Sequence, residues 1–342
     1  MINGRKTVGW SWSVAMVLAA VAFVHIAWAL IGDAAVAYGN LVDSDGYARL
    51  LRIERLLETS AWFDVGLPRA NWPDGGTLHW TRPLDILIII WAFLLAPIIG
   101  FSNMLFWGGV LIGPLLHGLA AVAVMWAARP LIGATGAVIA GLLAAISFGV
   151  LGYATIGHAD HHVLVGLVAV VAFGFTVRAV LDIESGERQA LYAGLTLAFG
   201  IWVGTEIQVT AALCLGLMGL AWAVEGEAWV PRNRRLALGL LAGLVVAVVI
   251  ERGPGFFDTQ YDRISFVHVS VAALIAAFWE MVRVLEGRLG SIVSRFAAGI
   301  AGDVVIVAVM AALFPKVLIS PLKDADPVLL KIFDGVAEYA PM

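Results

Sequence analysis

An all-α, polytopic transmembrane helical bundle is the fold this sequence predicts, and three observations predict it. Of 342 residues, 61% are hydrophobic and only 13% are charged, about half the charge of an ordinary soluble domain. Apolar runs recur from one end to the other, most of them near the length a helix needs to cross a roughly 30 Å hydrocarbon layer. The charged residues gather in a few stretches between those runs. This composition excludes a soluble enzyme, a nucleic-acid binder and a disordered scaffold. The net charge of −4 says nothing about partners, because the charges sit in loops. The single cysteine, Cys214, lies inside an apolar run, so neither a disulfide framework nor a thiolate metal site is open to the chain.

The first span is 10–31. Arg5 and Lys6 precede it as they would a signal peptide. The run is too long for the apolar core of one, and Asp33-Ala34-Ala35-Val36-Ala37 is only a loose cleavage site, so the span is expected to be retained. A first external loop comes next, over about 32–103, and contains Pro83–Gly100, an apolar piece bracketed by Pro83 and Pro97. Further runs lie at about 104–127, 131–152, 163–181, 190–204, 207–224, 236–250, 264–285 and 292–314, and a last external loop at about 315–342. No internal repeat is evident, and the whole reads as one transmembrane domain.

Lys and Arg near span ends set the orientation. Arg129, Arg178, Arg188, Arg232, Arg234, Arg235, Arg283, Arg288 and Arg295 fall on one side, cytoplasmic together with Arg5 and Lys6, provided that 83–100 does not cross. About nine crossings then leave the N-terminus inside. The outer face still carries Arg49, Arg52, Arg55, Arg69 and Arg82. On this topology 43–45, 158–162, Glu206 and 324–338 all face outward.

Asp43-Ser44-Asp45-Gly46 places two carboxylates two residues apart, a pair that can share a hard divalent cation or merely cap the helix that begins there. In that helix Leu50, Leu51, Ile53, Leu56 and Leu57 alternate with Arg49, Arg52, Glu54, Arg55 and Glu58, the pattern of an amphipathic helix at the membrane surface. Gly157-His158-Ala159-Asp160-His161-His162 gathers three imidazoles and a carboxylate beside a span. There they cost energy and usually have a use, and a carboxylate with a histidine two residues on is a plausible metal pair. Glu206 sits between two short apolar halves as a ligand, a partner to one, or a helix-end residue. By itself the segment 323–341 reads as an ordinary acidic loop.

Taken in order, these segments resemble the catalytic subunit of bacterial and archaeal oligosaccharyltransferase, within the GT-C class of polyprenyl-phosphate-dependent membrane glycosyltransferases. Asp45-Gly46-Tyr47-Ala48 stands where that family carries an aspartate motif in its first external loop. A helix over 46–58, an aromatic-rich stretch from Trp62 to Trp80 and a helix over 84–100 match the remaining elements of the family's loop, and support 84–100 as non-crossing. Asp160-His161-His162 stands in place of the second-loop motif, and Val336-Ala337-Glu338-Tyr339-Ala340-Pro341 matches the glutamate motif of the fifth external loop.

The resemblance implies a metal-dependent glycosyltransferase in the inner (plasma) membrane, active on its outer, periplasmic face. Asp45, Asp160 and His162 would bind Mg²⁺ or Mn²⁺, with Asp43, His161 and Glu206 as possible further ligands. Asp45 and Glu338 would be catalytic and orient the acceptor. His79, Arg82, Arg263 and His268 would bind the donor phosphate, although His79 and Arg82 also read as interfacial anchors beside Trp72 and Trp80. The partners implied are a polyprenyl-phosphate-linked sugar donor, a protein or glycan acceptor and membrane lipid. The family continues for several more spans and a soluble domain, so the expectation is either a truncated or split form of such a protein or a second chain that supplies the missing C-terminal part. The rival readings are a non-catalytic accessory subunit and a transporter. Against the latter, only Glu206 and Asp303 interrupt an apolar run.

Overall fold

A computed structural model describes residues 9–32, 35–69, 73, 75–183 and 185–318. Eleven α-helices occur among them: α1 (Trp10–Ile31), α2 (Ser44–Thr59), α3 (Arg82–Ile99), α4 (Met104–Ala145), α5 (Phe148–Ala154), α6 (His162–Val180), α7 (Gly186–Val203), α8 (Gln208–Glu225), α9 (Val230–Arg252), α10 (Phe266–Leu285) and α11 (Ile292–Leu313). A two-residue antiparallel pair, β1 (Gly66–Leu67) and β2 (Gly76–Thr77), lies in the α2–α3 loop. Among the described residues eight helical stretches are long and apolar enough to cross a membrane, α3 included. The central α7 is not one of them, because Glu187, Arg188 and Gln189 occupy its first turn. It earns its place by packing instead: a Cβ on Gly194 would stand 2.1 Å from the Leu236 carbonyl oxygen of α9, so α7 and α9 approach backbone to backbone, as small residues allow in membrane bundles.

The structure corrects two helix readings. Met104–Ala145 is two arms: Gly133 has φ 73° and ψ −179°, and the second arm folds back to lay Gly141 against Ala121 and Met125. The runs 104–127 and 131–152 are therefore antiparallel legs. The second stops at Ala145, however, and α5 carries the chain the rest of the way. In α2 the buried stripe is not the leucine face. Gly46, Arg49, Arg52, Ile53 and Leu56 are buried while Leu57 is exposed, because α3 presents an acidic residue to that stripe.

α3 pairs antiparallel with the start of α4, with Ile88 and Ala92 against Gly108. From α6 onward the helices alternate in direction, and their basic ends collect at one end of the bundle. There Arg129 lies over Trp10, Arg232 pairs with Asp182 at 3.0 Å and Arg234 with Glu280 at 2.6 Å. The opposite end receives the start of α2 and α3, the 155–161 loop, the α7–α8 junction and the α9–α10 loop.

Candidate active site

The 155–161 loop is fixed by Gly157. Its φ of +90° belongs to the left-handed region, a Cβ there would meet Val36 at 2.6 Å, and only glycine meets both demands without strain. Its N–H donates to the Val110 carbonyl (2.9 Å) and its own carbonyl accepts from Val42 N–H (3.1 Å). One residue thus ties α4, the α1–α2 loop and the site together.

Three residues later Asp160 begins a closed cluster. Its Oδ1 accepts from the His161 backbone N–H (2.6 Å) and from His161 Nδ1 (2.7 Å), and its Oδ2 lies 3.2 Å from His162 Nε2. The two imidazoles stack with centroids 4.6 Å apart. His161 Nε2 points to Glu206 Oε1 at 3.8 Å, an ion-pair distance and too long for a hydrogen bond. Burial by itself would push His161 down, but the carboxylates of Asp160 and Glu206 together outweigh it, and the imidazole rises to about 9. Burial likewise pushes Asp160 up and is overcome by its hydrogen bond to His161 and the neighbouring imidazoles, which hold it well below the usual carboxylate range.

One ligand atom each from Asp160, His161 and His162 lies within 4.8 Å of the others, which makes them a metal-capable group among the described residues. Two imidazole nitrogens and a carboxylate oxygen suit a transition ion better than Mg²⁺. A metal takes imidazole neutral, so it would displace the His161 proton.

Asp43 realises the capping alternative. Its Oδ1 accepts from Gly46 N–H at 2.8 Å, while Oδ2 meets His158 Nε2 at 2.8 Å. Burial opposes both charges, yet their pairing lowers Asp43 and raises His158. Asp45 is exposed in the first turn of α2 and is not part of the metal-capable group. Glu338 and its motif lie outside the described residues.

A second constellation escaped the sequence reading. Asp85, fully buried, faces three buried arginines: Arg49 Nη1 at 3.1 Å, Arg52 Nε at 3.1 Å and Arg82 Nη1 at 3.2 Å. Arg52 Nη1 donates to the Trp80 carbonyl (2.5 Å), and its burial, only partly offset by Asp85, lowers it to about 10. Arg49 lies 4.3 Å from the Trp80 ring centroid and extends Nη2 to within 3.9 Å of Asp160. Among the described residues Arg49 Nε and Nη2 and Arg52 Nη2 make no hydrogen bond, and Arg49 Nη2 has only its ion pair with Asp160. Three cations around one carboxylate leave positive charge beside the cluster, with donors suited to an anion. A signal was present: Asp85 stands at the head of an apolar run three residues after Arg82, and Arg49 and Arg52 share that spacing.

Of the four expected phosphate ligands, His79 and Arg263 line one cleft with His161, Glu206, Trp80 and Asp262. Burial lowers both His79 and Arg263, and Arg263 also reaches the Leu78 carbonyl (3.4 Å) and Gln260. Arg82 is occupied elsewhere, donating to the Trp62 and Asp64 carbonyls (2.9 and 2.8 Å) as well as pairing with Asp85. His268, in the first turn of α10, accepts from Ser265 N–H (3.2 Å) and contacts Gln208 (3.3 Å), outside the cleft lining. The roof of this end is laced down by Thr81 Oγ1 donating to the Trp202 carbonyl (2.5 Å), Arg82 N–H to Glu251 (3.1 Å) and Trp62 Nε1 to the Ile250 carbonyl (2.7 Å).

No protein-family model and no curated protein matches this sequence. Solved structures do match its fold. The Archaeoglobus fulgidus oligosaccharyltransferase in complex with Zn and sulfate superposes with a TM-score of 0.65 at 19% identity, over 91% of this chain and 40% of that one. Its apo form gives 0.66 at 18% identity, over 98% and 40%. Oligosaccharyltransferase AglB from the same organism, in complex with an inhibitory peptide and a dolichol-phosphate, gives 0.65 at 18% over the same shares. This chain thus spans about 40% of the length of the structures it resembles and shares the fold of that part. None of the matches bears on a second chain.

Proposed function

We propose that the chain is a metal-dependent, oligosaccharyltransferase-like membrane glycosyltransferase. It moves a sugar or oligosaccharide from a polyprenyl phosphate or diphosphate to a protein or glycan acceptor on the outer face of the plasma membrane, with 83–100 held on that face. The observation that supports this best is the meeting, at one end of an oligosaccharyltransferase-like fold, of the Asp160–His161–His162 group with buried arginines that have donors to spare. The fold relatives were determined with Zn, with dolichol-phosphate and with peptide bound, the same classes of ligand.

Displacement at an anomeric carbon places growing negative charge on the leaving phosphate. A bound Mn²⁺ would neutralise part of it as a Lewis acid. Around it Asp160 holds the imidazoles in register, and Arg49 supplies fixed positive charge in a dry surround, where preorganised electrostatics are strongest. Arg263 and His79 face the same cleft as donors to phosphate oxygens. Asp45 and Glu338 are assigned the orientation of the acceptor, as the resemblance implies.

The test is transfer from a polyprenyl-diphosphate-linked sugar in nanodiscs with Mn²⁺. Asp160→Ala and Asp45→Ala are each expected to lose at least ~100-fold in transfer, on the order of the loss of one preorganised electrostatic group, and Asp45→Ala, at an exposed position, should unfold near wild type. Wild-type turnover in Asp160→Ala overturns the reading, and Mn²⁺ binding by wild type with no transfer to any acceptor class assigns an accessory subunit instead.

A further inference from the structure

Among the described spans α11 is the least buried: of its 22 residues only Arg295, Gly302 and Met310 are buried. Its rotation is fixed all the same. Arg295 donates to the Ala223 and Val224 carbonyls at the end of α8 (2.9 and 3.2 Å). A Cβ on Gly302 would meet the Phe278 ring of α10 at 2.4 Å, and Met310 packs in one cluster with Val267 and Phe314. Packing along the whole helix thus decides which residues turn outward.

Asp303 is one of them. It is the twelfth of the 22 residues, about 15 Å from either end, which for a crossing helix is the centre of the hydrocarbon layer. Its side chain is exposed, and among the described residues it has no hydrogen bond or ion pair. Phe296, Gly299, Ile300 and Val307, at i−7, i−4, i−3 and i+4, share its face. Phe296, Ile300 and Val307 are exposed, and a Cβ on Gly299 would have only Trp222 near it, at 3.9 Å. One carboxylate therefore interrupts a face otherwise fit for lipid. Ionisable groups at that depth are costly, and almost always face a bundle interior or a water-filled cavity and pair there. Asp303 faces neither.

We infer that this face of α11 docks a transmembrane helix of another protein, one that presents a lysine or arginine at mid-membrane depth. The inference goes beyond the transferase reading and does not rest on it. Charge selects the occupant. A cation at matching depth pairs with Asp303 away from water, where screening is weak. A second copy of this chain offers none. Every arginine of the spanning helices stands near a helix end or beside the Gly133 bend of α4, and a symmetric contact on α11 sets Asp303 against Asp303. Gly299, one turn before Asp303, lets the incoming backbone approach, while Phe296, Ile300 and Val307 surround the pair with apolar contact.

The test uses the full chain in nanodiscs, with a fluorophore on the loop before α11, and synthetic transmembrane helices of leucine and alanine that carry the acceptor dye. These hold one lysine at the centre, one lysine at an end, or none. By energy transfer the central-lysine helix is expected to bind about tenfold tighter than the other two, the scale of a polar contact between helices in a bilayer. Asp303→Leu is expected to abolish that preference, and Asp303→Lys to move it to a host helix with a central aspartate. Asp303→Leu should unfold no lower than wild type in detergent, since it removes a charge from the lipid face. Equal binding of the three helices, a preference that survives Asp303→Leu, or no reversal with Asp303→Lys overturns the inference. So does a lower unfolding temperature for Asp303→Leu, which would assign the carboxylate to the fold of this chain. In native membranes a photocrosslinker at Ile300 is expected to capture a protein whose span carries a lysine or arginine at mid-depth, and to lose it in Asp303→Leu. Crosslinks to a second copy, to this chain's own residues 319–342 or to lipid alone overturn it as well.

Discussion

The two hollows on either side of Asp160–His161–His162 are built from opposite materials. His162 opens onto a slot walled by alanine, valine and glycine, whereas His161 opens onto a cleft walled by His79, Thr81, Glu206, Asp262 and Arg263. The slot is made by side chains that are missing, the cleft by polar side chains that loops bring in from 60–82, 204–207 and 253–265. The contrast separates two kinds of damage. Filling the slot, as Gly166→Leu would where a Cβ meets nothing within 4 Å, should cost little stability, and stripping the charged wall should cost much.

The largest effect is expected from Asp85→Asn, which attacks the scaffold that holds the charged wall. Asp85 is the shared counter-ion of Arg49, Arg52 and Arg82, all buried. Removing one partner of a buried ionic network costs about 3–5 kcal/mol, because the surviving charges stay buried. Thermal or denaturant unfolding in detergent should show that loss. A variant as stable as wild type would mean that Glu251 or water already balances the arginines. Gly166→Leu, by contrast, should unfold near wild type.

Arg263→Ala is the matching change in the cleft. Arg263 is half-buried, donates to Leu78 and Gln260 in the loops and shares the lining with His161 and Glu206. Loss of one charged hydrogen bond to phosphate, about 1.5–3 kcal/mol, is ~10- to 100-fold in donor affinity. Titration with a polyprenyl-linked donor should show that loss with Mn²⁺ affinity unchanged. A matching loss of Mn²⁺ affinity would erase the distinction between cluster and cleft.

How much of this was legible depends on whether the signal was local. Most of the spans were, since each is a continuous apolar run, and so was His158-Ala159-Asp160-His161-His162, whose members are neighbours in sequence and in space. Asp43 left capping and metal binding both open in the sequence, and only the approach of His158 shows that it caps and pairs at once. The arginine network was not legible. Periodicity assigned Arg49 and Arg52 to a solvated face because leucines supplied a plausible buried one, and Asp85, which reverses that choice, lies 36 residues from Arg49. The slot was equally invisible, because Gly149 and Gly166 announce nothing until the legs of α4 fold back. The break at 146–147 was hidden by an unbroken apolar run.

The smallest predicted effect bears on Glu206, the residue whose role the sequence left most open. Gly204 is extended, with φ −164° and ψ 142°, so an alanine there carries no backbone strain. Its Cβ would stand 2.4 Å from Glu206 Oε2, and that carboxylate, about half exposed, is free to swing away. Gly204→Ala therefore lifts Glu206 from His161 without removing a charge or filling either hollow. A half-exposed ion pair is worth about 0.2–1 kcal/mol, so Mn²⁺ affinity should change by no more than ~5-fold, with unfolding unaltered. A loss as deep as that of Asp160→Ala would make Glu206 a ligand in its own right. The charged wall would then be part of the metal site itself, and the boundary between cluster and cleft would have to be moved.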